Sequence, residues 1–298
     1  MEYDQIEAFI NVIKYGTISA AARNAYMSQS YLSHKIKLLE EELGVPLLTR
    51  GKGSKSVELT SYGTEFLRLV QQYHSIWNDM LQIKDHMGVS NLAIGAVESI
   101  NSVIFEQLYI HHIKKHADIR LSVHTYHSRD LYWKVENRQI DLAYVYNEIN
   151  YADILLTPLY REAMFLICRA DSPYHNDMDP ADLPADKEIY MRINSEYEIW
   201  HNQYWPDDHY MIRITGGPML SYLLTDPNCW AIAHISLING LRKYENIKIC
   251  TLKVKAPDVV CYQIEHKHPR PSRAEAIRIF KQEVIEHITS LDYVMKIP

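Results

Sequence analysis

The chain has 298 residues, with an apolar fraction of 47% and a charged fraction of 23%, which is ordinary for a globular protein of two or three domains. Its net charge of −6 gives no support to nucleic-acid binding by the chain as a whole, so any such role depends on local basic surfaces. No apolar run is long enough to span a bilayer, and the acidic start Met1–Asp4 lacks the basic region of a secretory signal. We therefore expect a cytoplasmic location with no membrane partner.

The cysteines and histidines do not form a recognisable ligand pattern in the sequence. Cys168, Cys229, Cys250 and Cys261 are widely spaced and include no C-x-x-C pair, which favours reduced, structural thiols over a zinc or disulfide site. The 15 histidines form no H-E-x-x-H motif. These patterns predict neither a metal nor a cofactor.

The first part of the chain predicts three helices. Apolar residues at helical spacing indicate a helix from about Asp4 to Tyr15, which Gly16 ends. The small side chains of residues 20–25 indicate a short second helix that can approach its neighbour closely. Ser28 is a favoured N-cap for a third helix that runs to about Leu43. This arrangement is typical of a helix-turn-helix unit.

The third helix and the segment after it carry the residues expected to contact DNA. The second helix of a helix-turn-helix unit inserts its N-terminal residues into the major groove, where the Gln29 amide can pair with adenine. Two short extended stretches around a glycine-rich basic turn, residues 50–56, predict a β-hairpin wing. The basic residues of these clusters have no acidic neighbours within them, and the acids at 40–42 stand at the far end of the helix. The predicted DNA contacts are Arg23, Ser28, Gln29, Ser30, Tyr31, Ser33, His34, Lys35, Lys37, Arg50, Lys52 and Lys55. A solvated amphipathic helix followed by a flexible basic loop is the alternative.

Four stretches in this region resemble the signature of the LysR-type transcriptional regulators. They are SAAAR at 19–23, SQSYLS at 28–33, IKLLEEELGVPL at 36–47 and LTSYG at 59–63. The sequence departs from the common pattern at Tyr31, His34 and Leu48, and His34 bears on the operator sequence. The resemblance implies an α/β chain with an N-terminal winged helix-turn-helix, a long linker helix and two Rossmann-like α/β lobes similar to type II periplasmic binding proteins. It also implies a regulator rather than an enzyme.

Residues 61–88 predict the linker helix. Its apolar positions alternate at spacings of four and three, as in a coiled-coil seam, with Lys84 in the polar slot: Phe66, Val70, Tyr73, Trp77, Met80 and Met87. We expect this stripe to form a dimer interface, with packing inside one chain as the alternative. A dimer would also combine the affinities of two DNA half-sites. The family resemblance implies dimers, with pairs of dimers forming a tetramer, and RNA polymerase is a further expected partner.

The C-terminal half alternates strands and helices, which predicts a mainly parallel sheet. The first set has strands at 92–97, 120–125 and 141–146, and the second at 163–169, 188–192, 230–233 and 259–264. A last helix, about 272–288, should pack back on the first set. The predicted domains are residues 1–60 for the winged helix-turn-helix, 61–88 for the linker and 91–298 for the effector-binding domain. Lobe I comprises 91–161 and 268–298, lobe II comprises 162–267, and the crossovers lie near 160–162 and 265–267.

Ligands of such sheets bind beyond the carboxyl ends of the strands, near helix N-termini. The residues predicted to bind the effector are Glu98, Ser99, Ile100, Asn101, Tyr126, His127, Ser128, Asn194, Ser195, Thr215, Gly216 and Gly217. Ser99 and Ser128 are expected helix caps, with or without a ligand. A Glu98 carboxylate in the cleft would favour a cationic or zwitterionic effector, although a solvated or paired Glu98 is the alternative.

Two other functions are weighed against a DNA-binding regulator. The C-terminal lobes alone suit a solute-binding protein or an enzyme, but no Ser-His-Asp, paired-carboxylate or phosphate-loop pattern is recognisable. A cysteine-based redox sensor would, by resemblance to peroxide-responsive members of the family, need two cysteines near residues 190–217, where no such pair exists. The expected partners are therefore promoter DNA, a small-molecule effector and a second copy of the chain.

Overall fold

The computed structural model of the protein describes residues 1–50, 56–81, 90–206, 209–241 and 246–297. The chain divides into two compact units, Met1–Ile83 and Lys84–Pro298. Within the described ranges, every helix is too short or too polar to cross a bilayer.

The N-terminal unit contains four helices and a two-stranded hairpin. The elements are α1 (Tyr3–Tyr15), α2 (Ile18–Asn24), α3 (Gln29–Leu43), β1 (Leu48–Arg50), β2 (Val57–Leu59) and α4 (Ser61–Leu81). Gly16 ends α1 at φ 71°, a left-handed conformation that glycine adopts without strain. The Thr17 and Ser28 hydroxyls cap α2 and α3 by accepting the amides of Ala20 and Tyr31. The three predicted helices and the cap at Ser28 are confirmed.

Small and aromatic side chains hold this unit together. Ala21 and Ala22 are buried between α1 and α3, where larger side chains would keep the helices apart. The Phe9 ring meets the Phe66 ring of α4 edge to face, with 5.2 Å between centroids. The Glu40 carboxylate accepts the amides of Leu47 and Leu48 and so fixes the turn from α3 into the hairpin.

Lobe I of the second unit is built on a six-stranded mixed sheet. In chain order, its elements are β3 (Ser90–Ala96), α5 (Glu106–Lys115), β4 (Ile119–Thr125), α6 (Ser128–Glu136), β5 (Leu142–Val145), β6 (Ile154–Glu162), β12 (Val259–His266), α10 (Ala274–Ser290) and β13 (Met295–Lys296). The strand order is β13-β6-β12-β5-β3-β4. Only β3, β4 and β5 run parallel, whereas β12 is antiparallel to both β5 and β6.

Lobe II is smaller and has an antiparallel sheet. Its elements are β7 (Met164–Arg169), β8 (Ile189–Met191), α7 (Ser195–His201), β9 (Ile212–Ile214), α8 (Leu220–Leu223), β10 (Trp230–His234), α9 (Ile235–Leu241) and β11 (Ile247–Cys250). The antiparallel sheet has the order β10-β7-β11, and β8 pairs in parallel with β9. The expectation of a mainly parallel sheet is therefore wrong for lobe II and only partly right for lobe I.

The strand at 259–264 belongs to lobe I and not, as predicted, to lobe II. As part of β12 it pairs with β5 and β6 across the centre of the large sheet. The first crossover does follow β6 at Glu162, but the second lies between Cys250 and Val259 rather than near 265–267. Local sequence indicates that a strand is present but not which strands it pairs with, and β6 was not among the predicted strands.

The helices α5 and α10 lie against each other in lobe I. A π-helical turn, Ile100–Ile104, comes directly before α5. The C-terminal helix α10 packs on α5 and β3, so its predicted return to the first lobe is confirmed. Phe280 of α10 is fully buried there, 6.3 Å from the Tyr109 ring.

Candidate functional site

The N-terminal half of α3 presents the polar face that the sequence predicts. The side chains of Gln29, Ser30, Tyr31 and His34 are exposed, whereas Leu32 points into the core. The Ser28 hydroxyl, besides capping the helix, lies 3.0 Å from the Ser30 hydroxyl. These side chains offer amide, hydroxyl and imidazole groups, which are the groups that hydrogen-bond base edges and phosphates.

The basic residues of this face are less free than the sequence suggests. The Lys35 ammonium lies 2.9 Å from a Glu2 carboxylate oxygen and 3.8 Å from Asp4, and its side chain is only 15% exposed. Lys37 is exposed but lies 3.3 Å from Glu41, one turn along the helix. The basic clusters have no acidic neighbour in sequence, but the start of the chain and the next turn of α3 bring carboxylates close to these two lysines in space.

Only the two strands of the predicted wing, β1 and β2, are among the described residues. The hairpin strands pair antiparallel, with Arg50 opposite Val57. Arg23, on α2, is exposed. Lys52 and Lys55 lie outside the described residues, so their part in the predicted contacts stays a prediction.

The predicted apolar stripe on α4 divides into two parts. Phe66 packs against the core of its own unit, and Val70 is buried. Farther along the helix, Tyr73, Trp77 and Met80 are between 36% and 47% exposed, as are Leu69 and Ile76. Packing within one chain thus explains the beginning of the stripe but not its end. Lys84 and Met87 lie outside the described residues.

A cavity of about 920 Å³ lies between the two lobes of the second unit. Its walls come from the segments that follow β3, β4, β5, β8, β9 and β10, which is where ligands bind in α/β sheets. Nine of the twelve predicted effector residues line it: Glu98, Ser99, Tyr126, His127, Ser128, Ser195, Thr215, Gly216 and Gly217.

Charges of both signs face this cavity. Arg129, Arg192 and Arg213 line it together with Glu98, Asp130 and Glu148. Arg192 is paired with Glu198 at 2.7 Å. The Glu98 carboxylate reaches across to lobe II, where a Cβ added at Gly216 would lie 2.9 Å from its Oε2. The lining therefore suits a ligand that carries both a positive and a negative group.

Three predicted effector residues do not line the cavity, because each has a structural role. Ile100 is fully buried in the core. The Asn101 amide donates to the His124 carbonyl and Thr125 hydroxyl, at 2.9 Å each, and its carbonyl oxygen accepts the Tyr109 hydroxyl at 2.5 Å. Asn194 caps α7 by accepting the Tyr197 amide.

The expected capping roles of two serines are wrong. Ser99 makes no side-chain cap bond, and its hydroxyl donates to the Tyr146 hydroxyl at 3.3 Å. The residue before α6 is His127, and the Ser128 hydroxyl instead accepts the Asn147 amide at 3.2 Å. Both serines are therefore hydrogen-bonded to the segment that follows β5, which also lines the cavity.

A buried hydrogen-bond network beside the cavity went unnoticed in the sequence. Glu162, at the first crossover, is fully buried and accepts the Tyr146 hydroxyl, an imidazole nitrogen of His234 and the Ser236 amide, at 3.1, 3.1 and 2.9 Å. Burial raises the pKa of Glu162, but the charge and hydrogen bonds of His234 and Ser236 outweigh burial, so the pKa is lowered. His234 also lines the cavity. The network therefore ties the cavity wall to the crossover between lobes.

The four cysteines are buried and free. Burial raises the pKa of Cys250 to about 11, and it also raises the pKa values of Cys229 and Cys261. Thiols with raised pKa values are poor nucleophiles at neutral pH. The cysteines therefore give the redox-sensor alternative no support.

The N-terminal unit is thus a helix-turn-helix followed by a hairpin, and the second unit has two lobes with a cavity between them. Residues 3–64 match the family of bacterial regulatory helix-turn-helix proteins of lysR type, and residues 89–203 match the LysR substrate binding domain. The chain belongs to the LysR family.

Curated relatives resemble the chain over part of its length. The HTH-type transcriptional regulator SoxR of Arthrobacter sp. (strain TE1826) is 31% identical over 173 residues, which cover 57% of this chain and 58% of the relative. The HTH-type transcriptional regulator YofA of Bacillus velezensis is 26% identical over 170 residues, 56% of this chain and 58% of the relative. These matches span little more than half the length of each relative.

Solved structures share the fold over nearly the whole chain. CbnR in complex with its target DNA has a TM-score of 0.65 at 17% identity, covering 97% of this chain and 99% of CbnR. A full-length OxyR variant from Pseudomonas aeruginosa also has a TM-score of 0.65 at 17% identity, covering 95% of this chain and 94% of that chain.

Proposed function

We propose that the chain is a sequence-specific, DNA-binding transcription regulator, not an enzyme, whose activity is controlled by a small molecule in the interlobe cavity. The observation that carries the DNA-binding part is the exposed polar N-terminal half of α3, capped by Ser28. Family membership and the likeness to CbnR, which was solved with its target DNA, support it. The proposal includes action on promoter DNA in the cytoplasm, together with RNA polymerase.

Footprinting on the DNA beside the chain's own gene, at two salt concentrations, tests the DNA-binding part. We expect protection of two half-sites one or more helical turns apart, and weaker protection as salt rises. If the DNA is protected at neither salt concentration, DNA binding is contradicted and a solute-binding protein is the better explanation.

Two variants of α3 separate base reading from phosphate contact. Gln29→Ala should relax base preference at one position, at a cost of about 1–3 kcal/mol for the preferred sequence. Lys37→Ala should weaken binding to all sequences alike and reduce the salt dependence. If both variants lost discrimination equally, the division of roles on this face would be wrong.

We infer that the effector is zwitterionic, such as an amino acid. Three arginines and three carboxylates line the cavity, and the Glu98 carboxylate lies so close to Gly216 of the opposite lobe that a Cβ there would be 2.9 Å from it. An effector can shift the protein only through a difference in affinity between two states, and a charged ligand that touches both lobes supplies such a difference.

A thermal-shift screen of zwitterions, dicarboxylates and monoamines tests the effector class. We expect zwitterions to raise the melting temperature, and Arg213→Ala to reduce that rise more than Lys134→Ala, which lies outside the cavity lining. Stabilisation by dicarboxylates alone would contradict the proposal.

We also propose that the end of α4 pairs with a second copy of the chain. The exposed stripe of Tyr73, Ile76, Trp77 and Met80 is the apolar surface that would be buried. Sedimentation should show dimers or tetramers, and Ile76→Asp should shift them toward monomers, while Glu65→Asp should not. A wild-type chain that sediments as a monomer at micromolar concentration would refute the pairing.

A further inference from the structure

Three side chains with metal-binding atoms meet in lobe I, away from the cavity lining. His112 and His116 belong to α5, and Glu283 belongs to α10. Their ligand atoms all lie within 4.8 Å of one another. His112 Nδ1 is 2.5 Å from one carboxylate oxygen of Glu283, and His116 Nε2 is 2.9 Å from the other.

The positions of these residues follow from helix geometry. A spacing of four residues puts His112 and His116 on the same face of α5, one turn apart, and their rings lie 4.9 Å from each other. Glu283 comes from the facing turn of α10. His112 and Glu283 are buried, whereas the His116 side chain is 17% exposed, which leaves a route from solvent.

The donor set matches that of zinc. Two imidazole nitrogens and a carboxylate oxygen are a common three-residue zinc set, with water in the fourth position. Bond lengths of about 2.0 Å place tetrahedral donors about 3.3 Å apart. The donors here are hydrogen-bonded at 2.5 and 2.9 Å, so admitting an ion requires them to separate by less than about 1 Å.

His112 meets the Glu283 carboxylate through Nδ1, so an ion in the cluster would bind that nitrogen. The other ring nitrogen, Nε2, is buried and has no hydrogen-bond partner among the described residues. It lies across the ring from the carboxylate, so the case for an ion rests on the donor set and its spacing.

We propose that His112, His116 and Glu283 bind a divalent transition-metal ion, Zn²⁺ above all, which fixes α5 to α10. Local motifs predict no metal here, because Glu283 lies 167 residues beyond His116 and only the fold brings it to the histidines. The ion would join the first helix of lobe I to the last helix of the chain.

Lys115 is the one described feature that opposes an ion here. Its ammonium lies 3.1 Å from the Glu283 carboxylate, and it would be repelled by a bound cation. The Lys115 side chain is 50% exposed, so it can turn into solvent. Lysine and metal therefore compete for the same carboxylate oxygen.

Calorimetric titration of the tag-free, full-length chain with ZnCl₂, beside MgCl₂, tests the site. We expect one Zn²⁺ per chain, a higher melting temperature with Zn²⁺, and no response to Mg²⁺. His116→Ala should weaken Zn²⁺ binding by about tenfold or more. Its matched control, His111→Ala, alters an exposed histidine of the same helix and should bind as the wild type does.

A second pair of variants tests the competition and does not disturb buried residues. Lys115→Gln should bind Zn²⁺ more tightly than the wild type, whereas Lys114→Gln, which alters an exposed neighbour, should not. Glu283→Gln, whose folding is checked by its melting temperature without metal, should lose the Zn²⁺-induced rise. The proposal is overturned by the absence of saturable binding, by wild-type affinity in His116→Ala, or by weaker binding in Lys115→Gln.

Discussion

The DNA-binding face and the effector cavity are both surfaces for recognition, but the chain builds them in different ways. The described face comes from residues 23–37, and most of its side chains are exposed on one helix. The cavity is lined by separate segments between Val97 and Leu237, which meet only because strand ends meet. Side chains of the face should therefore be replaceable at little cost in stability, while some of the cavity wall is continuous with buried hydrogen bonds.

The largest effect that tests this contrast is expected at Glu162. Glu162→Ala would leave Tyr146, His234 and Ser236 without their buried acceptor, and we expect the free energy of unfolding to fall by about 4 kcal/mol. Urea denaturation followed by tryptophan fluorescence measures it. Asp130→Asn, at an exposed carboxylate of the same cavity, should cost less than about 1 kcal/mol. Equal losses of unfolding free energy in the two variants would show that the cavity wall does not depend on this buried network.

The stability of the chain at acid pH is a second test of the buried Glu162 network. Because the pKa of Glu162 is lowered on folding, its charge stabilises the folded state fully above the ordinary value of 4.5. That stabilisation is lost as the pH falls toward the lowered pKa. Glu162→Gln should therefore flatten the acid limb of the stability profile, and an unchanged acid limb would show that this carboxyl is not the group responsible.

A smaller effect is expected where α4 begins. A Cβ at Gly63 would lie 2.0 Å from the Leu47 carbonyl oxygen, so Gly63→Ala must displace the backbone of the hairpin. We expect it to destabilise the N-terminal unit by about 3 kcal/mol. Glu65→Ala, two residues on, removes an exposed pair with Arg68 and should leave stability nearly unchanged. Denaturation followed by circular dichroism compares the two.

The smallest effect is expected at Ser28, where stability and DNA binding can be separated. Ser28→Ala removes the cap on the Tyr31 amide and should cost about 1 kcal/mol. Ser28→Asp keeps a capping oxygen and so keeps stability, but its charge should weaken DNA binding by repelling phosphate. Wild-type DNA affinity in Ser28→Asp would show that this end of α3 does not face DNA.

Local patterns in the sequence are sufficient where neighbours in the chain are neighbours in space. The sequence indicates the cap at Ser28, the turn at Gly16 and the close packing at the alanines of α2. Each of these features depends on residues within one or two helical turns. The positions after β3 and β4 were found for a similar reason, since the carboxyl ends of parallel strands share an edge.

Contacts between distant segments followed from the tertiary structure alone. The apolar sequence of β12 is compatible with a strand in either lobe. Only its pairing with β5 and β6 assigns it to lobe I. The sequence shows the positive charge of Lys35, but only the structure shows that Glu2, from the start of the chain, pairs with it. The Glu162 network and the His112–His116–Glu283 cluster likewise join residues far apart in the chain. The sequence by itself determined the helix-turn-helix and the family, because those depend on local spacing. Only the tertiary structure decided which charges are paired, which strands belong together and which side chains line the cavity, because these depend on long-range pairing.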